Sequence, residues 1–117
     1  MRLLSTLAAV ALLLLCAPVA AHAASEQTVK IQAKNFEFMP HTITLRLHQK
    51  YRLEFVATEG MHGIAIPDLG VNSVVTVQST PSYIEVTPSK VGTYVAHCQV
   101  FCGAGHVNMA LTIKVVQ

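Results

Sequence analysis

A chain of 117 residues has room for one domain. Its 52% apolar content is ordinary for a globular protein that carries an additional hydrophobic segment. The formal net charge of +2, from eight Lys and Arg against six Asp and Glu, is too small to point to nucleic acid as a partner. Three cysteines, Cys16, Cys98 and Cys102, make metal binding or a disulfide the first chemical questions.

The additional hydrophobic segment is at the start. Met1 to Ala23 carries a basic residue at Arg2, an apolar run from Leu7 to Leu15, Pro18, and small residues at Ala21 and Ala23 that suit an A-x-A cleavage site. It reads as a secretory signal peptide. A membrane span needs ~20 apolar residues, and Leu7 to Val19 is shorter than that. Lipidation at Cys16 is disfavoured by Leu15, where a small residue is wanted, and a buried N-terminal helix would have no amphipathic helix to pair with.

Cleavage after Ala23 leaves residues 24–117 as a mature domain with two cysteines and a near-neutral balance of charge. The expected location is the periplasm, with attachment to the outer face of the membrane only if the signal is retained. In such an oxidising compartment a free thiol pair tends to form a disulfide unless metal holds it.

The mature segment shows no internal repeat, linker or low-complexity tract. Thr28 to Ala33 alternates Val29, Ile31 and Ala33 against polar neighbours, as a half-buried strand does. Asn35 to Phe38 reads as a second extended piece that Met39-Pro40 breaks. Ile43, Leu45 and Leu47 then alternate with Thr42, Thr44, Arg46 and His48, which places His48 on the polar face.

Tyr51 to Ala57 puts Tyr51, Leu53, Phe55 and Ala57 on one face, and the turn Thr58-Glu59-Gly60-Met61 leads to His62 at the head of Gly63 to Pro67. Val71 to Gln78, Tyr83 to Thr87, Thr93 to His97 and Leu111 to Val116 complete about eight short strands, with Tyr83, Tyr94 and Phe55 expected in the core. No stretch has sustained helical periodicity. The pattern predicts an all-β sandwich or barrel.

The densest chemistry lies between the last two strands. Two thiols at Cys98 and Cys102, an imidazole at His106 and a thioether at Met109 are soft and borderline donors that suit copper, whereas calcium or magnesium would call for oxygens. A mononuclear blue-copper site needs one cysteine, and here there are two. Two thiolates can bridge two copper ions, and such a ring asks for one histidine per ion. His62 is the natural second. A local disulfide or a zinc pair would use the thiols and leave the offsets of His106 and Met109 unexplained.

The pattern Cys98-x-x-x-Cys102-Gly103-x-x-His106-x-x-Met109, with His62-Gly63-x-x-Ile66-Pro67-x-Leu69-Gly70-Val71 upstream, closely resembles the binuclear CuA domain of cytochrome c oxidase subunit II, particularly the shorter B-type subunits. The resemblance spans essentially the whole mature segment. It implies a cupredoxin Greek-key β-sandwich, a copper pair, and electron transfer to or from a c-type cytochrome or a terminal oxidase subunit.

By the family's pattern His62 and Met109 serve one copper, while His106 and the Val100 carbonyl serve the other. Many members carry Glu at the position of Val100 and use its carboxylate for a magnesium ion shared with the catalytic subunit; Val100 keeps the carbonyl and lacks the carboxylate.

His41, His48 and His97 read as surface residues, and Met39 and Met61 as packing or loop residues. With no second site for a substrate, the chain is expected to transfer electrons rather than catalyse a reaction alone. The alternative function for the same soft ligands is a periplasmic copper carrier or an assembly factor for an oxidase copper site, which would release its metal readily.

Overall fold

A computed structural model describes residues 16–18 and 25–117. Apart from 16–18, the expected signal peptide lies outside the described residues. Among the described residues no helix is long and apolar enough to cross a membrane.

The period-2 alternation produces the strands that carry the first sheet. In β1 (Gln27–Lys34), Ile31 and Ala33 turn inward while Gln32 stays exposed. β1 pairs antiparallel with the short β2 (Glu37–Met39). After Met39-Pro40 the chain passes to the other sheet, where β3 (Thr42–Arg46) lies. β4 (Tyr51–Ala57) returns parallel to β1, with Tyr51, Leu53, Phe55 and Ala57 all buried as the alternation predicts.

Next come β5 (His62–Ile66), a 3-10 turn at Pro67–Leu69, β6 (Val71–Val77) and β7 (Ser82–Val86). β8 (Gly92–His97) and β9 (Ala110–Val116) flank the ligand-rich loop. The first sheet runs β2-β1-β4-β7, the second β3-β9-β8, and β5 and β6 form a two-stranded ribbon. Both β1/β4 and β3/β9 are parallel pairs, so the chain crosses between sheets instead of folding as consecutive hairpins. The architecture is an all-β sandwich, as the strand pattern predicts.

Between the sheets lie Ile31, Phe38, Leu45, Leu53, Phe55, Leu111 and Ile113, all at most 1% exposed. Phe38 meets Phe55 edge to face, with centroids 6.3 Å apart and planes at 81°, the arrangement that suits the ring quadrupoles. Each such side chain removed from water contributes about 1.5–3 kcal/mol before the entropy cost of ordering it. β5 breaks the alternation, since all five of its residues are buried. Its backbone lies between β6 and the end of β8, where Ile64 bridges to Cys98.

Three expectations need correction. His48 is exposed, but it sits in the turn after β3 with φ 61°, its N–H donating to the Pro88 carbonyl at 2.8 Å, so it has no place on the strand's polar face. Tyr83 is 50% exposed because Ile84 and Val86 take the inward positions of β7. Its hydroxyl donates to Glu54 at 3.2 Å, and the Arg52 guanidinium lies 4.7 Å above its ring. Tyr94 is only half-buried, whereas Phe55 belongs to the core.

Candidate metal centre

The loop that joins β8 to β9 is closed at its base by the backbone. Cys98 N–H donates to the Met109 carbonyl at 2.9 Å, and Gln99 N–H donates to the Gly63 carbonyl at 2.9 Å. These bonds fix the loop to the head of β5. A 3-10 turn at His106–Asn108 then returns the chain, with His106 N–H on the Gly103 carbonyl at 3.1 Å and Met109 N–H on the His106 carbonyl at 3.1 Å.

His62 is the first residue of β5 and is fully buried. Its Nε2 lies 2.7 Å from the Glu59 carbonyl oxygen. A carbonyl can only accept, so Nε2 carries the hydrogen and Nδ1 keeps its lone pair. That Nδ1 faces Cys98 Sγ at 4.0 Å. Gly60 makes the preceding turn possible: its φ is +69°, and a Cβ there would meet the Asn35 side-chain oxygen at 2.9 Å and His62 Nε2 at 3.3 Å.

The two thiols sit at the centre. Cys98 Sγ is 3.6 Å from Cys102 Sγ, well beyond the ~2.05 Å of a disulfide, and 3.2 Å from the Val100 carbonyl. Cys102 Sγ is 3.6 Å from His106 Nδ1 and 3.8 Å from Met109 Sδ. Donor atoms of His62, Cys98 and Cys102 all lie within 4.8 Å of one another. Burial, reinforced by the adjoining Cys98 thiol, pushes the Cys102 thiol up to about 11. Without metal it is a neutral thiol at neutral pH.

All six residues singled out in the sequence, His62, Cys98, Val100, Cys102, His106 and Met109, therefore meet at one end of the sandwich. Cys98 and Met109 are buried, whereas Val100, Cys102 and His106 are half-buried. The Val100 side chain turns toward the scaffold: a Cβ on Gly63 would meet Val100 Cγ2 at 2.5 Å and Val74 Cγ1 at 2.9 Å. Beside the centre the surface is apolar, with Phe101 80% and Val107 75% exposed. The Phe101 ring centroid lies 5.6 Å from that of His106.

His41, His48 and His97 are exposed and take no part in the cluster, and Met39 and Met61 are exposed as well. His41 lies 3.4 Å from the Glu37 carboxylate. The sequence reading missed the Glu59 carbonyl, since a backbone acceptor leaves no trace in residue type. Gly60 was its only available signal.

The family model of the cupredoxin-like domain matches residues 6–109. This chain belongs to the cupredoxin-like family. No curated protein matches it in sequence. Among solved structures, this cupredoxin-like chain is similar to the periplasmic domain of subunit II of cytochrome oxidase from Bradyrhizobium japonicum, at a TM-score of 0.70 and 16% identity, over 78% of this chain and 84% of that one.

It is also similar to a chain of a heme-copper terminal oxidase dimer, at a TM-score of 0.66 and 23% identity, over 83% of this chain and 68% of the other. Auracyanin A, a blue copper protein from Chloroflexus aurantiacus, aligns at a TM-score of 0.61 and 15% identity, over 79% of this chain and all of its own. At such identities the likeness is one of fold, a fold this domain shares with proteins of respiratory oxidases and with a blue copper protein.

Proposed function

We propose that this cupredoxin-like domain holds a pair of copper ions and passes single electrons in a periplasmic or respiratory chain. The observation that carries the reading is the doubling of the donor set about two sulfurs 3.6 Å apart. His62 Nδ1 and the Val100 carbonyl approach Cys98, whereas His106 Nδ1 and Met109 Sδ approach Cys102. A mononuclear blue-copper site uses one cysteine, two histidines and a weak axial group, and would leave the second thiol and the carbonyl without a role.

The soft thiols, imidazoles and thioether fit copper: Cys98 and Cys102 would hold the pair between them, and His62, Met109, His106 and the Val100 carbonyl would complete the donor set. When bound, the copper pair supplies a one-electron centre whose charge change is shared across both ions and both sulfurs. The chain supplies rigidity. The Glu59 carbonyl holds the His62 ring in the tautomer that presents Nδ1. The Cys98 to Met109 backbone bond fixes the two ends of the loop, so the donors are placed before metal arrives.

His106, half-buried beside the exposed Phe101 and Val107, is the edge through which a redox partner comes near the site. A c-type cytochrome or a terminal oxidase subunit fits such a small apolar contact, which redox partners make weakly and transiently. The Val100 side chain brings no carboxylate to that face, so a shared magnesium ion is not part of the proposal. Residues 1–23 act as the export signal and residues 24–117 as the mature electron-transfer domain, which catalyses no reaction by itself.

Copper content and electron paramagnetic resonance, measured on protein expressed from the full chain, reduced and then loaded, test the reading. The expected result is two coppers per chain with one unpaired electron split equally by both nuclei. One copper with a mononuclear spectrum overturns it, and rapid exchange of that copper with a chelator would identify a carrier instead.

A further inference from the structure

Phe36 is 36% exposed in the turn between β1 and β2, yet its ring is closed against the ligand loop. A Cβ built on Gly103 would meet ring atoms of Phe36 at 2.7 Å, and one built on Gly105 would meet them at 2.4 Å. The ring therefore lies on bare backbone at both glycines. At Gly103 the backbone itself calls for glycine, since φ is +133°. Gly105 differs, with φ −87° and ψ 4°, a turn conformation open to any residue. There it is the Phe36 ring that excludes a side chain.

Gly105 immediately precedes His106, whose Nδ1 is 3.6 Å from Cys102 Sγ. The same β1 to β2 turn also reaches the other histidine. Asn35 N–H donates to the Glu59 carboxylate at 3.2 Å, and the Glu59 carbonyl accepts from His62 Nε2 at 2.7 Å. One turn, distant in sequence from the loop, thus braces both imidazoles.

We propose that Phe36 is a positioning residue of the metal centre: its ring, seated on Gly103 and Gly105, sets where the His106 imidazole stands relative to Cys102 and so the balance between the two copper positions. What it tunes rests on the two-copper reading above, whereas the clamp is a property of the metal-free chain. The mechanism is that of an outer residue that orients a metal ligand without touching the metal.

The test compares Phe36→Ala, Phe36→Leu, Gly105→Ala and the Phe36→Ala/Gly105→Ala double variant with wild type, all expressed from the full chain. In the reduced, metal-free state the readouts are the alkylation rate of Cys102 and the nuclear magnetic resonance shifts of the His106 ring. In the copper-loaded state they are the equality of the hyperfine splitting and the reduction potential. Phe36→Ala is expected to speed Cys102 alkylation several-fold, shift the His106 resonances, and make the splitting unequal while two coppers are retained.

Phe36→Leu should recover most of the wild-type values. Gly105→Ala should disturb the same signals, and removing the ring in the double variant should relieve that disturbance by freeing the space. Wild-type resonances, alkylation rate and potential in Phe36→Ala overturn the proposal, as does a Phe36→Ala that changes only the melting temperature. If wild type holds one copper, the two-copper reading falls, and the metal-free signals still decide the role of Phe36.

Discussion

His62 gives its Nε2 hydrogen to the carbonyl of Glu59 at 2.7 Å, which leaves Nδ1 free and aimed at Cys98 Sγ. A buried imidazole that is fixed in one tautomer before metal binds needs no rearrangement to become a ligand. The turn that supplies this carbonyl depends on Gly60. Gly60→Ala forces a side chain into the left-handed region at a cost of about 1–2 kcal/mol and presses a Cβ to 3.3 Å from His62 Nε2. Urea unfolding of the metal-free protein should show that loss, and copper retained after dialysis against a chelator should fall with it.

The two thiols are not equivalent in burial, but a bridged pair requires both. Cys98→Ser and Cys102→Ser should each abolish the shared-electron resonance signal and lower copper content below two per chain. Far-ultraviolet circular dichroism is expected to stay at the wild-type value, because Ser is close to Cys in volume and the loop is tied by backbone bonds at Cys98 and Met109. Retention of an equally split signal in either variant would remove bridging from the account.

Met109 is fully buried and its Sδ stands 3.8 Å from Cys102 Sγ. Met109→Leu conserves volume, so the expected loss of stability is under about 1.5 kcal/mol. A thioether would be a weak donor to copper, one that tunes the potential more than it holds the metal. Voltammetry should therefore report a shifted potential in a variant that still loads two coppers.

The Cys102 thiol, raised from 9.0 to about 11, sets two opposite pH dependences. The unfolded chain releases this proton first, so the metal-free protein should be indifferent to this group below pH 9 and lose stability as pH rises from 9 toward 11. Copper displaces the same proton, so its apparent affinity should rise with pH, by about tenfold per unit for each proton displaced, until the thiol ionises by itself. Melting curves and competition titrations across this range separate the two effects.

Core packing stabilises the domain apart from its ligands. Phe55 is fully buried and meets Phe38 edge to face. Phe55→Ala is expected to cost about 3–5 kcal/mol, measured by denaturant unfolding of the metal-free protein.

Much of this protein was legible in its residues because the relevant signals are local. Alternation with period two placed β1, β3 and β4 and chose their inward faces, since a strand's side chains point to opposite sides in turn. The offsets among Cys98, Cys102, His106 and Met109 marked one loop as soft-ligand chemistry, the need for a second histidine pointed to His62 at the head of its strand, and the resemblance divided the donors between two coppers.

Other features depended on which distant segments meet, and residue patterns leave that open. Tyr83, Ile84 and Val86 offered two faces for β7, and only its pairing with β4, Ile84 opposite Leu53, turned Tyr83 outward. β5 carries no alternation because the chain covers it on both sides. The parallel pairing of β3 with β9, the approach of Glu59 to His62, and the seating of Phe36 on Gly103 and Gly105 join parts far apart along the chain or through backbone atoms alone. By itself the sequence determined the strands and the donor chemistry, because both are written in residue type and spacing. Tertiary structure decided where each imidazole stands, because its neighbours are backbone carbonyls and ring faces brought there by the closing of the sandwich.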